Sequence, residues 1–304
     1  MGQKNMLFSL ENGKAALYTY FSSNKKSCHF SQKGGCVMFR KLLTAGLLAS
    51  VAVCASGAVV LQEDFTSAQN GTLPASLSAS YDAGVDVVVV PLATMQPTPG
   101  SDHTGGDGYV CRVGDLGTGG GGYNWIFLAS PSPQADVKIS GWVYVDWTTL
   151  DATPAERDYI ILGRMQNTNP QVTGSAAGTR QGYFFAITAY SSWTGISPNP
   201  TNFRPILFKK VGTTHTVIGS EGTSDVTTGW HFLELEIVGT TITGKVDGTT
   251  VCSGTDTSYS TGNAAWGYYD SNGSASNYPY AAAWDNVKFE TVGASGVNDW
   301  TMYE

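Results

Sequence analysis

Beyond residue 58 the chain alternates apolar and polar residues with a period of two. Over residues 137–146, Val137, Ile139, Gly141, Val143 and Val145 fall on one face, and Lys138, Ser140, Trp142, Tyr144 and Asp146 on the other. Over residues 230–238, His231, Leu233, Leu235 and Ile237 form an apolar row opposite Trp230, Phe232, Glu234 and Glu236. Gly239-Thr240 then connects to residues 241–246 as a hairpin, and Asp247-Gly248 makes a second tight turn into 249–252. Further strands are expected at 85–92, 108–113, 125–128, 159–166, 182–189, 204–210, 264–269 and 283–289. No long stretch repeats apolar residues at i, i+3, i+4 and i+7, so crossover helices are not expected.

About eleven such strands without crossover helices predict an all-β protein: antiparallel sheets packed face to face as a jelly-roll sandwich. The connections at 96–106, 117–122, 167–179, 191–202 and 270–280 are rich in Gly, Ser and Pro. They are expected at the sheet rims, where binding residues concentrate.

The region before residue 59 follows another pattern. Met38-Phe39-Arg40-Lys41 is basic, and Leu42 to Ala52 is apolar or small. This is the pattern of a secretory signal peptide, too short to span a bilayer, with Ala58 as the expected cleavage site. Residues 1–37 show no sustained period and are read as a non-native or disordered extension, 38–58 as the signal peptide, 59–292 as the sandwich and 293–304 as a tail. Cys54 ends the apolar run, but Val53 before it is a poor match to a lipidation site.

Charge sharpens the functional classes. The chain has 17 Lys and Arg against 24 Asp and Glu. Residues 1–58 hold seven of the basic and one of the acidic residues, so the rest carries 17 − 7 = 10 basic and 24 − 1 = 23 acidic, a net charge of −13. Nucleic acid is excluded as a partner, because phosphate binding needs clustered cations and Lys209-Lys210 is the one adjacent basic pair here. An exported protein, extracellular or at the cell-envelope surface and without a membrane span once processed, fits this balance. In that compartment Cys111 and Cys252 are expected either as a disulfide or as two separate buried thiols.

Aromatic residues supply the functional signal. Trp193, Trp266, Tyr268, Tyr269, Tyr278 and Tyr280 lie in or beside long loops, with Asp270, Asn272 and Asn277 nearby. Rings of this kind stack on the apolar faces of sugars, while Asp and Asn take the hydroxyls. Trp193, Trp266, Tyr268, Tyr269, Asp270 and Asn272 are the carbohydrate-binding candidates, and a core-filling role competes for the same rings. His103, between Asp102 and Asp107, is a further candidate for metal or sugar hydroxyls, against ordinary turn chemistry.

Four segments carry a family likeness: Glu63-Asp64-Phe65, Trp230-His231-Phe232-Leu233-Glu234-Leu235-Glu236-Ile237, Val246-Asp247-Gly248 and Trp284-Asp285-Asn286-Val287. In this order the chain resembles the concanavalin A-like lectin/glucanase superfamily, in particular the laminin-G-like jelly-roll domains of secreted bacterial proteins. The resemblance implies that the first and last strands pair. It also implies a structural calcium with Glu63, Asp64 and Asp285 as ligands, a hard-oxygen set suited to that ion. The laminarinase-type enzymes of the superfamily carry Glu-x-Asp-x-x-Glu on one strand; here Glu234-Leu235-Glu236 is followed by Val238, and the catalytic pattern is not met. The expected function is therefore a secreted, non-catalytic module binding a polysaccharide or surface glycan. The alternative is a structural protein of the envelope or matrix, followed by a glycoside hydrolase.

Overall fold

The computed structural model describes residues 5–11, 14–20, 57–80, 85–95, 98–101, 103, 108–115, 123–130, 132–146, 157–166, 180–188, 203–223, 225–270 and 281–293. The chain divides into two compact units, Met1–Ala52 and Val53–Glu304. In the first, β1 (Asn5–Glu11) and β2 (Lys14–Tyr20) pair as an antiparallel hairpin in which Glu11 faces Lys14.

The second unit is built from β3 (Val59–Glu63), β4 (Leu77–Ser80), β5 (Val85–Pro91), β6 (Tyr109–Asp115), β7 (Tyr123–Leu128), β8 (Val137–Val145), β9 (Arg157–Met165), β10 (Gly182–Thr188) and β11 (Arg204–Val211). It continues through β12 (Thr214–Val217), β13 (Gly229–Val238), β14 (Thr241–Val246), β15 (Thr249–Thr255), β16 (Asn263–Asp270) and β17 (Ala281–Thr291). One sheet has seven strands in the order β12, β11, β10, β9, β16, β7, β4; the other has eight, β15, β14, β13, β8, β17, β6, β5, with β3 also beside β17. Every pairing is antiparallel. This is the two-sheet jelly-roll sandwich that the alternation predicts.

The apolar rows face each other across one core. Val137, Ile139, Val143, Leu233, Leu235 and Ile237 of the eight-stranded sheet pack with Ile161, Phe185, Ile187, Leu207, Trp266 and Tyr268 of the seven-stranded sheet. Layers this close leave no room for a side chain at some positions. A Cβ on Gly244 would lie 2.4 Å from the ring of Phe185. The Asp247-Gly248 turn has positive φ at both residues, 50° and 77°, as the hairpin reading requires. Asp247 secures it by accepting from the Phe232 backbone N–H at 2.8 Å and facing His231 Nδ1 at 2.8 Å.

The first and last strands of the sandwich pair, as the resemblance implies. β3 pairs with β17, setting Glu63 opposite Val287 and Leu61 opposite Phe289, while Phe65 and Val287 share the core. At another rim, Arg164 is buried with φ of 46° and donates to three carbonyls, those of Ala135, Tyr259 and Gly239, at 2.7–2.8 Å. Three segments distant in sequence are thus tied to one guanidinium.

Of the two states considered for the cysteines, the structure holds the thiols: Cys111 and Cys252 are free and buried, so the disulfide expectation is corrected. The reason is topological. β6 and β15 stand five strand spacings apart in the same sheet, roughly 24 Å at about 4.8 Å per spacing, whereas a disulfide needs Cα atoms within about 7 Å. Burial pushes the Cys252 thiol up to about 11 and the Cys111 thiol higher still, so both stay protonated.

An aromatic strip as candidate functional site

Among the described sugar-binding candidates, Trp266 and Tyr268 are not at the surface. Trp266 and Tyr268 point into the inter-sheet core, and Trp266 donates its indole N–H to the Ser140 carbonyl at 2.8 Å. They are core residues, which corrects the reading that set them beside a rim site. Their neighbour Tyr269 turns to the opposite face of β16 and packs, partly buried, against a second apolar cluster. Asp270 ends β16, opposite Arg157 of β9. Trp193, Asn272, Asn277, Tyr278 and Tyr280 lie outside the described residues, as do Asp102 and Asp107.

The proposed calcium ligands are also separated in role. Glu63 accepts a hydrogen bond from the Ser76 hydroxyl, Asp64 is exposed, and Asp285 is fully buried with its carboxylate on the Asn286 N–H at 2.8 Å. Asp285 stands opposite Trp142, whereas Glu63 stands opposite Val287 beyond the β17 bulge. These residues do not fit a calcium cage, and among the described residues no three His, Cys, Asp or Glu side chains gather as a metal site.

Four partly exposed aromatic residues lie together where alternation places them, on the outer side of β8 and β13, while Tyr109, Tyr259 and Tyr269 are partly exposed elsewhere. The register pairs Trp230 with Tyr144 and Phe232 with Trp142, and all four are half-buried. Trp142 and Phe232 lie 5.2 Å apart by ring centroids, and Tyr144 and Trp230 5.7 Å apart edge to face. His103, itself exposed, stacks on Trp142 with centroids 3.2 Å apart, and Trp230 donates its indole N–H to the Ser101 carbonyl at 2.6 Å. The 98–103 segment therefore borders this aromatic end. Beside it on the same face, Val90, Leu92, Met95, Val110, Ala281 and Ala283 form a small apolar cluster against which Tyr144 and Trp230 pack.

The same strip continues as a polar surface. Glu234 faces Ser140, and Glu236 faces Lys138. Lys245 of β14 reaches both glutamates, at 2.7 Å and 2.8 Å. Burial acts to lower the lysine's pKa, but the two carboxylates outweigh it and hold the ammonium above its ordinary value. Lys138 and Lys288 both pair with Glu290, at 2.9 Å and 2.8 Å. The glutamate pair does share one face, as its spacing predicts, and one ammonium ties the two together. Past Glu236 the surface dips into a depression of about 340 Å³ lined by Glu236, Val238, Thr241 and Thr243.

Sequence reasoning placed Trp142, Tyr144, Trp230 and Phe232 on the outer faces of their strands without assigning them a role. The missed signal was aromatic residues occupying the polar phase of two strands. Sequence could not show that those strands are neighbours.

No protein-family model and no curated protein matches the chain. Solved structures do resemble it. They include the carbohydrate-binding module CBM66 from Bacillus subtilis, at 15% identity and a TM-score of 0.39 over 70% of this chain and 98% of that one. A glycoside hydrolase family 16 endo-glucanase from Bacteroides ovatus aligns at 12% identity and 0.44 over 75% and 99%. The exoplasmic/lumenal domain of VIP36, in its Ca2+/Man3GlcNAc-bound form, aligns at 14% identity and 0.43 over 64% and 85%. At these values the likeness assigns no ligand and no residue to this chain.

Proposed function

We propose that this protein is an exported carbohydrate-binding module whose binding surface is the outer strip of β8 and β13. The observation that carries the reading is that four aromatic rings, Trp142, Tyr144, Trp230 and Phe232, stand half-exposed and side by side on the outer face of two paired strands. A half-buried ring has an apolar face and a fixed position, which suits it to the C–H face of a sugar. The glutamates further along the strip can accept from hydroxyls, and Lys138 and Lys245 can donate to them. The acidic balance beyond residue 58 and the signal-peptide pattern at 38–58 support an extracellular setting.

The test is affinity electrophoresis and titration calorimetry of residues 59–304 on a panel of soluble polysaccharides. Trp142→Ala and Trp230→Ala are expected to weaken binding at least tenfold, about 1.4 kcal/mol each, with the sandwich intact by circular dichroism. Binding unaffected by both variants would remove the strip from the site. Export is tested by N-terminal sequencing of the protein recovered outside the cell, with Val59 expected as the first residue.

A further inference from the structure

We infer that the strip takes an uncharged, linear polysaccharide lying along β8 and β13, contacted over several consecutive sugar units. The inference rests on the glycan-binding reading above and adds the ligand's charge and shape.

Shape follows from the register. The register pairs Trp230–Tyr144, Phe232–Trp142, Glu234–Ser140 and Glu236–Lys138 succeed one another along two neighbouring strands, with Ser140 alone of the eight buried. They span residues 230–236, roughly 20 Å at about 3.3 Å per residue. The depression at Glu236, Val238, Thr241 and Thr243 extends the same line at its polar end. A track of this kind, stacking surface first and hydroxyl partners after, matches an extended chain better than a single terminal sugar held in an enclosed pocket.

Charge follows from the ion pairs. Lys245 is engaged by Glu234 and Glu236, and Lys138 and Lys288 by Glu290. Three lysines thus meet three glutamates, and the strip's polar half is locally neutral. An anionic glycan would have to displace a carboxylate already bound to each ammonium, on a chain that carries an excess of 13 acidic groups beyond residue 58. Neutral hydroxyls need no such exchange. A lysine ammonium has three N–H donors and a carboxylate several acceptor sites, so each ion pair keeps capacity for a hydroxyl.

Calorimetry with neutral β-glucan, xylan and mannan, their oligosaccharides of increasing length, and polygalacturonate and alginate tests this. The expected result is at least a tenfold gain in affinity from disaccharide to hexasaccharide, less than a twofold change between low and high salt, and no binding of the polyuronates. Lys245→Gln is expected to reduce hexasaccharide affinity several-fold, with a melting curve confirming the fold. Equal affinity for a disaccharide and the polymer, or salt-sensitive binding of the polyuronates, overturns the inference while sparing the glycan site. Failure of every glycan to bind overturns the site itself.

Discussion

On the outer side of the seven-stranded sheet, Trp125, Phe127, Phe184 and Phe208 are sealed, with Phe184 stacked on Phe208 at 4.8 Å and Trp125 edge-on to Phe184 at 6.0 Å. On the outer side of the eight-stranded sheet, Trp142, Tyr144, Trp230 and Phe232 keep part of their surface in water. The first set belongs to a second apolar cluster with Ile160, Leu162 and Ile206, over which even Arg180 is buried, its guanidinium 5.0 Å from the centre of the Phe127 ring. Burial explains why those rings are apolar. It explains the half-exposed set only in part: Tyr144 and Trp230 pack on a small buried cluster, while the neighbours further along the strip are ion pairs. This difference in covering is the contrast on which the proposed binding strip rests.

The comparison breaks most sharply under truncation of the sealed face. Phe184→Ala or Trp125→Ala is expected to cost about 3–5 kcal/mol in denaturant unfolding, because each leaves a cavity among fixed neighbours. A loss below about 1 kcal/mol would mean that this face is open. Gly244→Ala, which drives a methyl against Phe185, is expected to cost about 1–3 kcal/mol without altering glycan affinity. Trp142→Ala is expected to show the reverse pattern, about 1 kcal/mol or less of stability and the tenfold loss of binding described above.

Two smaller effects sharpen the picture. Burial would raise the Asp256 carboxyl, but the Lys209 ammonium, the Ser258 amide and hydroxyl and the Tyr183 hydroxyl overcome it and hold the pKa down to about 2, against an ordinary 3.8. The folded value lies below the unfolded one, so this group's stabilisation is complete above about pH 4 and is lost as pH falls towards 2. Asp256→Asn is expected to flatten that part of a plot of melting temperature against pH. Finally, His103→Ala removes the ring stacked on Trp142 and is expected to raise iodide quenching of tryptophan fluorescence; unchanged quenching would show that His103 does not shield that ring.

Much of the fold was legible because alternation is a local property. Strands β8, β13, β14 and β17 lie where the pattern predicts, and Gly239 and the Asp247-Gly248 pair turn the chain where their backbone freedom allows. β4 and β12 escaped because runs as short as Leu77–Ser80 and Thr214–Val217 carry too few residues to show a period, and β1, β2 and β3 escaped as well. The site was less legible. Trp266 and Tyr268 sit near a glycine- and asparagine-rich connection, which suggests a rim, yet they follow Ala264 on the inner phase of β16 and fill the core.

What the sequence determined by itself is the two-faced character of each strand, the turns between successive strands, and hence a two-layer sandwich. What only the tertiary structure decided is which strands stand side by side and which faces are covered twice. Trp142 and Phe232 become one platform because β8 and β13, 90 residues apart at those positions, pair in register. Cys111 and Cys252 stay apart because four strands separate theirs. The physical reason is the same in both cases: a period of two records which side of a strand is apolar, whereas strand order and the covering of a sheet depend on long-range packing.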